Sequence, residues 1–153
     1  MNIIAAMAAN RVIGAGDRLP WNVPEEQDHY RRLIADQTVI MGRRSYEIFR
    51  DDLTSRHAVV VSRSGKRFEG ASVCSSLEDA IREAKSFGRQ VFINGGASIY
   101  EQALPLVDEM DLSVIKGEYS GDAYFPEFDE SAWNLAEQQE HDAFEFRRYR
   151  RKA

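Results

Sequence analysis

The chain has 153 residues, enough for the core of one domain, and we expect a single domain over residues 1–153. A hydrophobic content of 43% and a charged content of 29% are ordinary for a soluble globular protein and argue against disorder. The net charge of −5 disfavours nucleic acid or an acidic membrane surface as the main partner.

The cysteine and histidine usage narrows the class further. A single cysteine, Cys74, excludes an intramolecular disulfide and fits a reducing compartment. The apolar run Ile3–Ala9 is too short to span a bilayer and no cationic segment precedes it, so we expect a cytoplasmic protein with no membrane association. The histidines are scattered without metal-ligand spacing, so we expect no metal: His29, His57 and His141.

Short apolar runs alternate with amphipathic segments over the first two thirds of the chain. The runs that predict buried strands are Ile3–Ala9, Val39–Met41, Ala58–Val61, Val73–Cys74 and Val91–Ile93. The segments that predict helices are Glu25–Ala35, Arg44–Phe49, Leu77–Lys85 and Ala97–Leu104. Because strands and helices alternate, the sequence predicts an α/β fold with a mainly parallel sheet covered on both faces.

The last third of the chain predicts strands only. They are Met110–Ile115, Trp133–Glu140 and Phe144–Tyr149, and the last two are close enough to pair as an antiparallel hairpin, which makes the predicted sheet mixed. The final segment is basic, with Arg147, Arg148, Arg150, Arg151 and Lys152. A basic tail suits nucleic acid, but the acidic chain and the alternation of these cations with phenylalanines favour a strand with a solvated face.

One carboxylate shares a helix face with apolar residues. The Pro-Trp-x-x-Pro loop at 20–24 runs into the first predicted helix, whose positions i, i+4, i+7 and i+8 are Glu26, Tyr30, Leu33 and Ile34. A carboxylate on that face needs a specific partner or has its pKa raised by desolvation, and both are typical of a working site. The alternative is that it only suits the helix dipole, as we expect for Glu25 and Asp28.

Two strand-to-helix turns have the features of anion sites. Asn94-Gly95-Gly96-Ala97-Ser98 would bring backbone amides and a helix N-terminus close to a phosphate, although a simple tight turn is an equal alternative. Arginines and hydroxyls follow the second and third strands, a pattern that suits a phosphomonoester: Gly42, Arg43, Arg44, Ser45, Ser62 and Arg63. The carboxyl ends of adjacent strands converge in α/β sheets, so the two sites together predict NADPH rather than NADH.

An ordered set of motifs over nearly the whole chain resembles dihydrofolate reductase. The matching segments are Ile4-Ala5-Ala6, Val12-Ile13-Gly14, Leu19-Pro20-Trp21-Asn22, Val39-Ile40-Met41-Gly42-Arg43, Leu53, Arg56, Gly95-Gly96, Ile99-Tyr100-Glu101 and Gly121-Asp122-Ala123-Tyr124-Phe125-Pro126. The resemblance implies a central sheet of about eight strands flanked by four helices, with a C-terminal antiparallel hairpin. It also implies reduction of 7,8-dihydrofolate to tetrahydrofolate by NADPH, with a hydride to C6 and a proton to N5.

The resemblance further implies a role for each motif residue. Those implied in catalysis are Glu26 on the pterin ring, Ser113 hydrogen-bonded to Glu26, Trp21 with an ordered water, Leu19 on the water path and Tyr100 near the nicotinamide. Those implied in substrate binding are Ile4, Ala5, Glu26, Gln27, Tyr30, Phe49, Leu53, Asn94 and Arg56, the last on the α-carboxylate of the glutamyl tail. Those implied in NADPH binding are Ala6, Ile13, Gly14, Gly42, Arg43, Arg44, Ser45, Ser62, Arg63, Gly95, Gly96, Ala97, Ser98 and Ile99.

The chain departs from the family pattern around the substrate. Glu26-Gln27 replaces a frequent Asp-Leu pair, Tyr30 stands where Phe is usual, and Asn94 stands where an aliphatic residue is usual. The Glu-Gln pair is similar to that of mobile-element reductases that tolerate trimethoprim. These departures affect the expected fit of antifolates more than the expected reaction.

Two other functions remain open on the sequence. A related NADPH-dependent pterin or pyrimidine reductase would share the fold and the cofactor site, but it would have no use for Arg56. A catalytically idle nucleotide-binding regulator would need none of Trp21, Glu26 and Ser113. The expected partners are dihydrofolate and antifolates, and the expected state is a monomer.

Overall fold

The computed structural model describes residues 1–153 and contains a sheet of eight strands. In chain order the strands of the molecule are β1 (Asn2–Ala8), β2 (Val12–Gly14), β3 (Thr38–Gly42), β4 (His57–Val61), β5 (Ser72–Cys74), β6 (Val91–Ile93), β7 (Glu109–Ile115), β8 (Ala123–Tyr124), β9 (Trp133–Glu140) and β10 (Phe144–Arg151). The order across the sheet is β5-β4-β3-β6-β1-β7-β10-β9, and β2 pairs with β8 outside it. Every neighbouring pair from β5 to β7 is parallel, and β10 is antiparallel to β7 and β9. The predicted mixed, mainly parallel sheet is confirmed.

Four α-helices connect these strands. They are α1 (Pro24–Ile34), α2 (Arg43–Phe49), α3 (Leu77–Lys85) and α4 (Ala97–Ala103), and 3₁₀ turns cover Arg50–Asp52 and Glu130–Ala132. Each predicted helix is present with ends within one residue of the prediction. Pro24 opens α1, where its missing amide hydrogen would be unpaired in any case. None of the four helices is both long and apolar enough to cross a lipid bilayer.

The sheet separates two apolar clusters because side chains along a strand alternate between its faces. On β1, Ile3 belongs to the larger cluster, which includes Met110 and Leu112 of β7. The next residue, Ile4, packs in a second cluster with Val39 of β3 and with Ile34 from the end of α1. The apolar face of α1 therefore fixes that helix against the sheet, and the position of Glu26 follows from it.

The hairpin turn between β9 and β10 also packs against α1. Oε1 of Glu25 lies 2.7 Å from Nδ1 of His141, which is hydrogen-bonding distance. One turn further along the helix, the ring of His29 lies edge-on to Phe146 with a centroid distance of 4.5 Å. The side chain of Glu25 thus has a contact beyond the helix dipole, and α1 has no side-chain cap of its own at Val23.

The arginines of the basic C-terminal segment lie on an interior strand, β10, and each has partners within the molecule. Arg148 donates to the buried Asp111 at 2.7 Å and to Glu137 at 2.9 Å, and Arg150 donates to Glu109 at 2.9 Å. The guanidinium of Arg151 lies over the Trp133 ring at 4.3 Å. These contacts account for the arginines as parts of the sheet.

Candidate active site

A cavity of about 170 Å³ opens at the carboxyl ends of β1, β3 and β6, beside α1. Most of its lining consists of residues singled out from the sequence: Ala5, Ala6, Ile13, Leu19, Glu26, Gln27, Tyr30, Ser45, Phe49, Asn94, Gly95, Gly96 and Tyr100. Three further lining residues are Arg31, Met41 and Asp52. The cavity combines apolar walls with a few polar groups, among them the carboxylates of Glu26 and Asp52, which is the composition of a site for a small organic ligand.

Glu26 is the buried acid of this cavity. Its side chain is only 6% exposed, and burial raises its pKa from 4.5 to about 7, while a hydrogen bond from Ser113 acts in the opposite direction. Ser113 reaches it from β7, where it is the register partner of Ala6 on β1. A carboxyl group with a pKa near 7 can accept hydrogen bonds or hold a proton at physiological pH.

Two tyrosines frame the cavity. The Tyr100 hydroxyl donates to the carbonyl oxygen of Ile4 at 2.7 Å, so α4 is tied to β1 beneath the cavity floor. Tyr30, one turn after Glu26, accepts a hydrogen bond from Nδ2 of Asn94 at the end of β6. Burial raises the pKa of both hydroxyls, so both stay protonated at neutral pH.

The loop between β2 and α1 contributes Leu19 to the cavity lining, and hydrogen bonds to the segment before β8 hold its first residues. The Gly16 amide donates to Asp122 Oδ1 at 3.1 Å, and the Asp122 amide donates to the Gly14 carbonyl at 3.0 Å. At Gly121 a Cβ atom would collide with the Gly14 carbonyl, so only glycine allows this approach. The loop also buries Trp21, whose Nε1 donor has no partner in the protein and is suited to a ligand or a water.

The Gly95-Gly96 turn closes the cavity on the side of α2 and α4. A Cβ on Gly95, whose φ is +97°, would lie 3.1 Å from the Tyr100 hydroxyl, and one on Gly96 would lie 3.2 Å from Ser45 Oγ. The Gly95 carbonyl accepts from the Gly42 amide at 2.7 Å. The turn therefore keeps bare backbone beside the N-termini of two helices, which fits a diphosphate group.

A second cavity, of about 460 Å³, lies beside β4 and β5. Its lining includes Ser62, Arg63 and Arg67 but no carboxylate, and neither arginine forms an ion pair. The thiol of Cys74 lies in the same wall, and burial raises its pKa. Two unpaired guanidinium groups fit an anionic ligand here, and Arg67 was not singled out from the sequence.

Three predicted cationic residues lie outside both cavity linings and have acidic partners. Arg43 pairs with Glu47 at 3.0 Å, and Arg44 pairs with Asp17 at 2.7 Å. Arg56 donates through Nε to Asp36 at 2.6 Å, which leaves its two terminal nitrogens available. The other predicted residues that line neither cavity are Ile4, Gly14, Trp21, Gly42, Leu53, Ala97, Ser98, Ile99 and Ser113.

The residues that sequence reasoning missed had no pattern to mark them. Arg31 pairs with Asp52 at 2.8 Å in the cavity lining, but charged neighbours on a helix are usually solvated. Arg67 lies in an irregular segment between β4 and β5, where no periodicity fixes the direction of a side chain. No group of three or more His, Cys, Asp or Glu side chains is arranged to hold a metal ion.

Comparisons with known proteins agree with this geometry. The family model described as dihydrofolate reductase matches residues 1–152. The chain is 37% identical over 136 residues to the dihydrofolate reductase of Bacillus subtilis strain 168, covering 88% of this chain and 80% of that protein. It is 39% identical over 125 residues to the dihydrofolate reductase type A13 of Escherichia coli, covering 81% and 76%. The structure of the Enterococcus faecalis dihydrofolate reductase complexed with NADP(H) and RAB-propyl has a TM-score of 0.90, with 25% identity over 99% of this chain and 96% of that one.

Proposed function

The chain belongs to the dihydrofolate reductase family, and we propose that the cavity around Glu26 is where it reduces 7,8-dihydrofolate to 5,6,7,8-tetrahydrofolate with NADPH. The observation that carries this proposal is the buried Glu26, with a pKa of about 7, in a cavity bounded by the Gly95-Gly96 turn. The product supplies one-carbon metabolism and thymidylate synthesis. We further propose that the whole chain acts as one domain and as a monomer.

The substrate would be held at both of its ends. Glu26 would accept hydrogen bonds from N3–H and the 2-amino group of the pterin, and Ser113 would keep the carboxylate oriented. Phe49 and Tyr30 would flank the aminobenzoyl ring in the cavity. The terminal nitrogens of Arg56 would take the α-carboxylate of the glutamyl tail, since its contact with Asp36 uses only Nε.

The residues that would hold NADPH fit its chemistry. Backbone of the Gly95–Ile99 segment and the side chain of Ser45 would surround the diphosphate, and Ala6 and Ile13 would flank the nicotinamide. Arg63 and Ser62 would take the adenosine phosphate in the second cavity, joined by Arg67. When bound, NADPH supplies the hydride that C6 of dihydrofolate receives.

The chain's own contribution is orientation, water exclusion and proton supply. No side chain needs to contact N5: Glu26 would polarise the ring and raise the basicity of N5, and water passing Leu19 would deliver the proton. The loop held by Asp122 would exclude bulk water and so strengthen the electrostatic effect of Glu26. Trp21 would use its free Nε1 donor on a water beside the substrate.

The test is to follow NADPH absorbance after dihydrofolate is added to the purified protein. We expect oxidation with NADPH and much slower oxidation with NADH. Dihydrobiopterin, which has the pterin ring but no glutamyl tail, separates this function from that of a related pterin reductase. Faster turnover of dihydrobiopterin than of dihydrofolate would contradict the proposal.

A further inference from the structure

Two polar side chains meet in the cavity wall, and neither has a role in the transfer of the hydride or the proton. Asn94, at the end of β6, donates its Nδ2 hydrogen to the hydroxyl oxygen of Tyr30 on α1, and both residues line the cavity. Burial raises the pKa of Tyr30, so the hydroxyl keeps its own hydrogen. The Tyr30–Asn94 bridge therefore leaves the Tyr30 O–H donor, the second Nδ2 hydrogen of Asn94 and the acceptor Asn94 Oδ1 without a protein partner.

The bridge lies on the route of a ligand that is anchored at Glu26. Tyr30 follows Glu26 by one helical turn, about 6 Å along the axis of α1. The next residue, Arg31, pairs with Asp52. Both residues line the same cavity as Glu26 and Tyr30. A ligand that extends from Glu26 toward the Arg31 end therefore passes the bridge with its middle portion.

We propose that the Tyr30–Asn94 bridge is a specificity determinant that favours ligands with a hydrogen-bond donor and acceptor in their middle portion over ligands with an apolar aryl arm. This inference rests on the proposed function, because it takes Glu26 as the anchor of the pterin. The aminobenzoyl portion of dihydrofolate has an N–H group and a carbonyl oxygen, which match the free acceptor and donor of the bridge. An apolar arm would cover both groups without pairing them, and such burial weakens binding.

The bridge predicts a non-additive response to mutation. Removing one member leaves the other polar group in the cavity without its partner. Removing both turns this part of the wall apolar, so an apolar arm gains most in the double variant. Two independent polar residues would instead give effects that add.

The experiment compares Tyr30→Phe, Asn94→Leu and the double variant with the wild-type protein. The dissociation constant of 2,4-diamino-5-benzylpyrimidine is measured by tryptophan fluorescence with NADPH present, and kcat and KM are measured for 7,8-dihydrofolate. In the double variant we expect the benzylpyrimidine to bind about fivefold more tightly and the KM for dihydrofolate to rise about fivefold. Each single variant should bind the benzylpyrimidine less than twofold more tightly.

A matched control is Tyr149→Phe on β10, outside the cavity. It removes a hydroxyl that donates a hydrogen bond to Glu130 at 3.3 Å. This variant should change neither the dissociation constant of the benzylpyrimidine nor the KM for dihydrofolate. Equal changes for both ligands, or additive changes across the cycle, would overturn the bridge as a specificity determinant. If Asn94→Leu fails to fold, Tyr30→Phe alone tests the proposal. This variant must weaken the binding of dihydrofolate more than the binding of the benzylpyrimidine. A wild-type protein that cannot turn over dihydrofolate would overturn the proposed function, while the binding cycle would still test the bridge.

Discussion

The carboxylate of Asp17 lies 2.7 Å from the guanidinium of Arg44, so an acid of the cavity loop holds a cation at the start of α2. Both side chains are largely exposed, and hydrogen bonding to Asp17 raises the pKa of Arg44. We propose that Arg44 binds a cofactor phosphate, in which case Asp17 would compete with that phosphate for Arg44. The pair would then link the position of the loop to the charge of the cofactor site.

Asp17→Asn should tighten NADPH binding because Arg44 is released and a negative charge is lost near the phosphates. We expect the dissociation constant to fall roughly two- to fivefold at low salt and the gain to shrink as salt screens these exposed charges. Asp142→Asn, an exposed change in the β9–β10 turn, is the control and should have no effect. Weaker NADPH binding in Asp17→Asn would show that the pair stabilises the binding-competent loop.

Cofactor selectivity should depend on Arg63 and Arg67 more than on Arg43. The first two line the second cavity without acidic partners, whereas Arg43 is paired with Glu47. Arg63→Ala or Arg67→Ala should weaken the binding of NADPH by about tenfold and leave the binding of NADH nearly unchanged. Arg82→Ala on α3 provides the charge-matched control. Equal losses for NADPH and NADH would place these arginines away from the 2′-phosphate.

The comparison of Arg43 with Arg67 shows where sequence reasoning reached its limit. The strand–helix alternation predicted each strand of the central sheet and every helix, because apolar periodicity decides those elements. It also predicted that the residues after β3, β4 and β6 would meet. The structure brings Ser45 after β3 close to Gly96 after β6, whereas Ser62 and Arg63 after β4 line a separate cavity. The alternation did not predict which guanidinium groups already have acidic partners, since Glu47 and Asp17 reach them through side-chain directions that no periodicity fixes.

The short strands β2 and β8 were also missed, for a different reason. Val12–Gly14 and Ala123–Tyr124 are too short to show alternation, and their pairing depends on a close approach at Gly121. Similarly, His29 and His141 are far apart in sequence, yet their ring centroids lie 6.2 Å apart because the hairpin turn packs against α1. Long-range packing of this kind carries no local signal.

Glu26→Gln should reduce turnover by about 10²-fold or more at neutral pH, because the variant has no charged acceptor for the pterin. Folding and NADPH binding should stay intact, since Glu26 lies outside the cofactor residues. Much of the lost activity should return at lower pH, where N5 is protonated before hydride transfer. Steady-state kinetics from pH 5 to 8 measure this, and near-normal turnover at neutral pH would refute the role of Glu26.

The same variant should be more stable than the wild-type protein in alkaline conditions. The folded-state pKa of Glu26 is about 7 against 4.5 for the free side chain, so the folded state binds more protons between these values. The free energy of unfolding therefore falls as pH rises through this window, by about 3 kcal/mol in all. Glu26→Gln removes that loss. Denaturant unfolding should show a difference in the free energy of unfolding between the two proteins at pH 8, and this difference should fall to about a quarter of that size at pH 5.

His29 provides the internal check on that experiment. Burial lowers its pKa below 6.5, so it is protonated more readily in the unfolded state and both proteins lose stability as pH falls below that value. Because the loss is shared, it cancels in the difference between the two proteins. A gap that stays constant from pH 5 to 8 would contradict the raised pKa of Glu26.

Trimethoprim should bind weakly, while methotrexate should bind tightly. Diaminopyrimidines present a protonated ring to the helix carboxylate, and Glu26 is one methylene longer than the usual Asp, so the ring should be displaced in the cavity. Gln27 lines the cavity and has no hydrogen-bond partner in the protein, so an apolar arm would bury it unpaired. Misplacement and unpaired polar atoms typically cost about 1–3 kcal/mol each. Methotrexate should lose less affinity because its glutamate would also bind Arg56.

Titration of both inhibitors against the purified enzyme measures this difference. The variant Glu26→Asp/Gln27→Leu shortens the carboxylate and removes the unpaired amide, so it should tighten trimethoprim about tenfold or more and methotrexate much less. Leu135→Ala, an exposed change on β9, is the control for general effects of substitution. Nanomolar inhibition of the wild-type enzyme by trimethoprim would refute the argument from Glu26 and Gln27, and it would leave the reductase activity itself unaffected.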